Sequence, residues 1–171
     1  DKHVTGVQTC ALPICQLEQM PHVMLAGLAN EPAFTLAERL AALAPGGLER
    51  VFFSESGSVA VEIAMKMAVQ AWLNRGQPDR TQFVCFKGAY HGDTIAAIAI
   101  GDPEDGIMGR FQGLMAEQFR LDLPRNGETR ARLDDFLADR APECAAVILE
   151  PLVQGAGGMI FHSPEIGRAH V

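Results

Sequence analysis

Glu55-Ser56-Gly57-Ser58 and the helix it opens, running to about Gly76, decide how this chain reads. A short apolar run, Val51-Phe52-Phe53, comes first and is expected to be a strand. After Ser58, apolar residues recur in pairs, Val59/Ala60, Ile63/Ala64, Met67/Ala68 and Ala71/Trp72, while Glu62, Lys66, Gln70 and Asn74 fill the opposite face. That spacing predicts a helix with one buried face, and Glu62 and Lys66 are spaced for an i,i+4 pair. A chain that turns through Ser-Gly-Ser into a helix leaves free N–H groups at the positive end of the helix dipole. Such a terminus suits a phosphate, with Gly57 allowing close approach and Ser58 adding a hydroxyl. An ordinary serine N-cap explains the same residues.

Working outward, Pro32 after Asn30-Glu31 predicts a helix to about Leu43, stopped by Pro45-Gly46-Gly47. Downstream, Gln82–Phe86 reads as a strand, Lys87–Asp93 as the loop at its end, and Thr94–Ile100 as helix or strand. Asp102–Pro124 reads as loop-rich, punctuated by Gly106, Gly109 and Gly113, and Thr129–Asp139 as helix. Ala145–Leu149 reads as a third strand ending in Glu150-Pro151, followed by Gly155–Gly158. Strands alternating with helices predict an α/β fold with a mostly parallel sheet, whose ligands gather at the C-terminal ends of the strands.

The two ends read differently. Val4–Ile14 (VTGVQTCALPI) and Glu165–Val171 (EIGRAHV) each match the translation of a short-read sequencing adapter. Residues 1–14 and 165–171 are therefore expected to be adapter-like and are set aside from fold reasoning. Between them, 15–47 reads as an N-terminal helical segment and 48–164 as a partial large domain. The net charge of −7 is unchanged without the ends, since two acids and two bases go with them. An acidic chain without a basic cluster argues against nucleic acid and against an anionic membrane surface as partners. No apolar run is long enough to span a bilayer. Cys85 and Cys144 sit in or beside apolar runs, the pattern of reduced, buried thiols in a cytoplasmic protein.

Several groups invite a chemical reading and fail it. His91 and Asp93 share a loop but lack the further ligands a zinc site needs. Gly155–Gly158 lacks dinucleotide-loop spacing. Ser54 and Glu55 stand where a nucleophile elbow needs its first Gly, and no P-loop Gly-Lys-Ser/Thr exists. Tyr90 reads equally as a surface aromatic, and Glu150 as a surface or a buried carboxylate. Taken together, a phosphate seat at Gly57-Ser58, an aromatic ring at Tyr90 and a carboxylate at Glu150 are the parts of a site for a phosphorylated aromatic cofactor, and pyridoxal phosphate fits.

The order and wording of the motifs carry a resemblance. SESGSVAVEIAMKMA (54–68), FKGAYHGDT (86–94) and AAVILEPLVQGAGGM (145–159) resemble the class III, fold-type I, pyridoxal-phosphate-dependent aminotransferases, as does PHVMLAGLANEPAFTLAERL (21–40). The resemblance covers essentially all of 16–164. It implies a three-layer sandwich with a mostly parallel sheet, and a homodimer with sites at the subunit interface. Gly57 and Ser58 would hold the cofactor phosphate, Tyr90 would stack on its ring and line the substrate pocket, Asp93 would lie on the substrate side and Glu150 close to the cofactor. His91 occupies a motif position without an assigned chemistry. The implied amino donor is S-adenosylmethionine and the acceptor 8-amino-7-oxononanoate. Members acting on ornithine or 4-aminobutyrate are the alternative, and a non-catalytic phosphate-binding α/β domain is another. No catalytic residue is expected in this chain. The cofactor-anchoring lysine and the Asp that pairs with the ring nitrogen are expected downstream, Lys66 and Lys87 do not match that motif, and the piece alone is expected to be inactive and poorly stable.

Overall fold

The computed structural model describes residues 14–102 and 107–168, without the side chains of 107, 108 and 168. Residues 1–13 and 169–171 of the adapter-like ends, and Gly106 in the stretch read as loop-rich, lie outside the described residues. The chain divides into two compact units, Asp1–Phe53 and Ser54–Val171.

The first unit is built from local signals. After a helical stretch over 14–19, helix α1 spans Glu31–Leu43. The Asn30 side chain accepts from the Ala33 N–H at 2.9 Å, and Pro32 sits in the first turn, where its missing N–H costs nothing. No residue of α1 is buried, and Phe34 is 61% exposed. Val51–Phe53, expected to be a strand, is not one. Apolar content alone does not make a strand, because the extended backbone must find a neighbouring edge for its N–H and C=O groups. Among the described residues none pairs with it.

The second unit is the α/β fold with a parallel sheet that the pattern predicts, with helices on both faces as the resemblance implies. Helix α2 spans Gly57–Asn74, strand β1 Gln82–Phe86, helix α3 Ile95–Ala99, strand β2 Phe119–Leu121, helix α4 Gly127–Arg140 and strand β3 Cys144–Val147. The sheet is parallel with the order β2-β1-β3, pairing Val84 with Phe119 and Phe83 with Ala146. β1 runs through the centre, and its alternation sends side chains to both faces. Val84 and Phe86 pack with Leu123, Leu133 and Cys144 on the α4 side. Phe83 and Cys85 pack with Ile100 and Ala145 on the other, against Val61, Met65, Val69 and Trp72 of α2. The Trp72 indole N–H donates to Ala145 O at 2.7 Å, which pins α2 to β3. Phe86 is 1% exposed, and removing such a ring costs about 3–5 kcal/mol.

Strand β2 lies in a stretch that reads as loop-rich, and the hairpin below in one that carried no strand expectation. β2 is only three residues long, too short for a period-2 signal, and exists because β1 offers it an edge. Strands β4 (Val153–Gln154) and β5 (Ile160–Phe161) form an antiparallel hairpin around Gly155–Gly158. A short helix, α5, spans Glu165–Arg168. Its Ile166, in the stretch set aside above, is 6% exposed and packs in the α4-side core. No helix of the described residues is long and apolar enough to cross a membrane.

Candidate functional site

The start of α2 assigns its two serines different work. Ser56 is the N-cap, its extended backbone aiming Oγ at the Val59 N–H, 3.2 Å away. Ser54 Oγ donates to Ser56 O and steadies the turn. Ser58 Oγ accepts from the Asp93 N–H at 3.0 Å. A hydroxyl that accepts one bond still has its own proton to donate. Gly57 and Ser58 lie in the first helical turn, whose N–H groups have no intrahelical acceptor. The alternatives of cap and anion seat therefore do not compete: one serine caps and the other stays available.

The loop after β1 is tied down by distant residues. Lys87 N–H donates to Leu121 O at 2.9 Å, and Gly88 N–H to an Asp102 carboxylate oxygen at 2.7 Å. Asp102 N–H returns a bond to Ala89 O, while the Arg120 guanidinium donates to the carbonyls of Ala99 and Gly101. Tyr90 N–H donates to one oxygen of Glu150 at 3.3 Å, and Gly155 N–H to the other at 3.0 Å. Glu150 is thus a brace between the Tyr90 loop and the β4–β5 hairpin, neither a free surface carboxylate nor a fully buried one. Ser58, Asp93, Tyr90 and Glu150 are brought together through these bonds. Tyr90 remains 44% exposed, and its hydroxyl, hydrogen-bonded to the Asp93 carboxylate, is held above the usual phenol range.

His91 Nε2 is buried and has no hydrogen-bond partner among the described residues. Burial pushes its imidazole below the ordinary value, and the nearby Glu150 charge opposes this. Tyr90, His91, Gly88, Ile98, Asp102 and Gly157 line a small cavity of about 90 Å³. Two close approaches complete the arrangement. A Cβ on Gly92, whose φ is +129°, would overlap Ser58 Oγ and lie 2.8 Å from Ser58 Cα. A Cβ on Gly157 would overlap Gly88 O. Glu62 accepts from the Ala96 N–H at the start of α3, while the charge of Lys66, spaced for it, also acts on its carboxylate.

The sequence reading missed three residues that build this site: Asp102, Arg125 and Gln154. Arg125 donates to the Gln154 side chain, which in turn donates to Lys87 O. Nothing in their local spacing separates them from surface polar residues.

The sequence profile of the class III aminotransferases matches residues 10–169. The chain belongs to the class III aminotransferases. Among curated members of the family, it is 47% identical to the adenosylmethionine-8-amino-7-oxononanoate aminotransferase of Mycobacterium leprae (strain TN), over 87% of this chain and 35% of that protein. The crystal structure of the enzyme of that name from Methanocaldococcus jannaschii DSM 2661 superposes with a TM-score of 0.83 at 35% identity, covering 90% of this chain and 35% of that one. An amine transaminase from an uncultivated Pseudomonas species, solved in its PLP-bound form, superposes with a TM-score of 0.79 at 33% identity, covering 94% of this chain and 39% of that one. This class III aminotransferase chain thus spans little more than a third of the length of these relatives.

Proposed function

We propose that this chain is the cofactor-seating part of a pyridoxal-phosphate-dependent transaminase that moves an amino group from S-adenosylmethionine to 8-amino-7-oxononanoate, giving 7,8-diaminononanoate for biotin synthesis. The whole enzyme is a cytoplasmic homodimer, with residues 15–47 leading into a large domain that begins at about 48. The observation that carries the reading is the bond from Asp93 N–H to Ser58 Oγ, which joins the free N–H groups of α2 to the Tyr90 loop. The names of the relatives support the choice of donor and acceptor.

Bound pyridoxal phosphate supplies an electrophilic carbonyl and an electron sink for amino-group transfer. The residues present fit that group. Gly57 and Ser58 offer N–H groups, a hydroxyl proton and the positive end of an 18-residue helix to the phosphate. Tyr90, partly exposed, offers its ring to the pyridine, and Glu150 holds the Tyr90 backbone in place. Asp93 stands beside Tyr90 on the substrate side and keeps the phenol proton in place.

The test uses the full-length enzyme containing this segment. It is expected to form 7,8-diaminononanoate from S-adenosylmethionine and 8-amino-7-oxononanoate. Turnover with ornithine or 4-aminobutyrate but none with S-adenosylmethionine would overturn the donor. Ser58→Ala is expected to weaken pyridoxal phosphate binding about tenfold, the loss of one hydrogen bond to a charged group. Unchanged affinity would remove Ser58 from the seat.

A further inference from the structure

Gln154 is the buried polar side chain of the described residues, 2% exposed, and both ends of its carboxamide are satisfied. Nε2 donates to Lys87 O at 2.7 Å, and Oε1 accepts from the Arg125 guanidinium at 2.6 Å. The carbonyl can only accept and the guanidinium can only donate, so the amide sits one way round. Lys87-Gly88 is where the chain leaves β1 and bends towards Tyr90. Asp102 and Glu150 each take an N–H of this loop, whereas Gln154 takes a carbonyl. A carboxylate could replace neither its donor nor its charge state.

We propose that Gln154 is a positioning residue of the cofactor site, fixing the Lys87-Gly88 bend and through it the Tyr90 ring, with Arg125 setting the direction of the amide. The inference rests on the reading that Gly57, Ser58 and Tyr90 receive pyridoxal phosphate. It predicts that chemistry, not volume, matters at position 154. Gln154→Glu keeps the shape and the Arg125 bond but sets an oxygen against Lys87 O. Gln154→Met keeps the volume and removes both bonds. Arg125→Met, made at an exposed position, removes only the group that orients the amide.

The experiment takes the full-length enzyme and measures the visible circular dichroism of the bound cofactor per mole bound, the pyridoxal phosphate affinity, and amide hydrogen exchange over 87–92 in the cofactor-free protein. Gln154→Glu is expected to lower the dichroism at least twofold, weaken affinity about tenfold and speed exchange of the loop amides. Arg125→Met is expected to act in the same direction but less, and to add nothing to Gln154→Met. Wild-type dichroism per bound cofactor and wild-type loop exchange in Arg125→Met, whatever happens to thermal stability, would overturn the proposal even if neither Gln154 variant folds. A wild-type enzyme that binds no pyridoxal phosphate, while the variants still speed loop exchange, would leave the strut standing and overturn the cofactor reading instead.

Discussion

The turn into α2 and the loop after β1 meet at one site but are held by opposite means. At Ser54–Ser58 the bonds are local: Ser56 reaches Val59 and Ser54 reaches Ser56. Over Lys87–Asp93 most are remote: Asp102 is 14 residues from Gly88, Glu150 is 60 from Tyr90, and Gln154 is 67 from Lys87. A locally bonded turn keeps its shape wherever its own residues go. A remotely bonded loop depends on the sheet that carries its partners. The Ser58–Asp93 bond, 35 residues apart, is where the two meet.

Gly92→Ala is expected to disturb both segments at once. The new methyl would press on Ser58 while the backbone holds φ at +129°, so both segments must shift. Strain and overpacking together are expected to cost about 3 kcal/mol, read as a lower urea midpoint at unchanged slope. Gly157→Ala touches only the remote side, because its Cβ would lie 3.0 Å from Gly88 C and overlap the attached oxygen. About 2 kcal/mol is expected from overpacking, with hydrogen exchange faster over 87–92 and unchanged at the start of α2. Ser56→Ala touches only the local side and removes an N-cap, at about 1 kcal/mol. Loop exchange should stay at wild-type rates in that variant. If it rises, the local and remote halves are not separable.

The smallest effect is a pH dependence. Burial holds the folded His91 below its ordinary value of 6.5, so the unfolded chain takes up the proton first. The stabilisation this represents is fully present above the ordinary value and declines as pH falls below it towards the folded value. Urea titrations at pH 7.5 and 5.5 should show wild type losing more stability than His91→Gln. Equal losses would mean that His91 charges freely in the folded loop.

How much was legible follows from where each bond partner lies. Phe83-Val84-Cys85-Phe86 announced β1, because a strand buried on both faces must be apolar at every position. Val51-Phe52-Phe53 carries the same composition and forms no strand, because composition says nothing about whether an edge is waiting. Phe119-Arg120-Leu121 has little local signal and is a strand, because β1 lies beside it. At the site, Ser56 shows its capping role locally, through the Val59 N–H three residues on, whereas the role of Ser58 depends on where the Asp93 N–H comes to lie. Arg125 and Gln154 were invisible, since a buried strut and a surface polar pair have the same spelling.

Residue order and spacing are enough for β1, for the helices α1, α2 and α4, for the cap and first turn of α2, and for the order of motifs that marks a class III aminotransferase. These depend on residues within about one helical turn of each other, or on residue identity alone. Packing around the sheet is what places Ser58 against the loop, makes Glu150 a brace between two segments and sets Gln154 under the bend before Tyr90. Each of those depends on a donor meeting an acceptor across 29 to 67 residues of chain, and only the packed sheet brings such partners within 3 Å or so of one another.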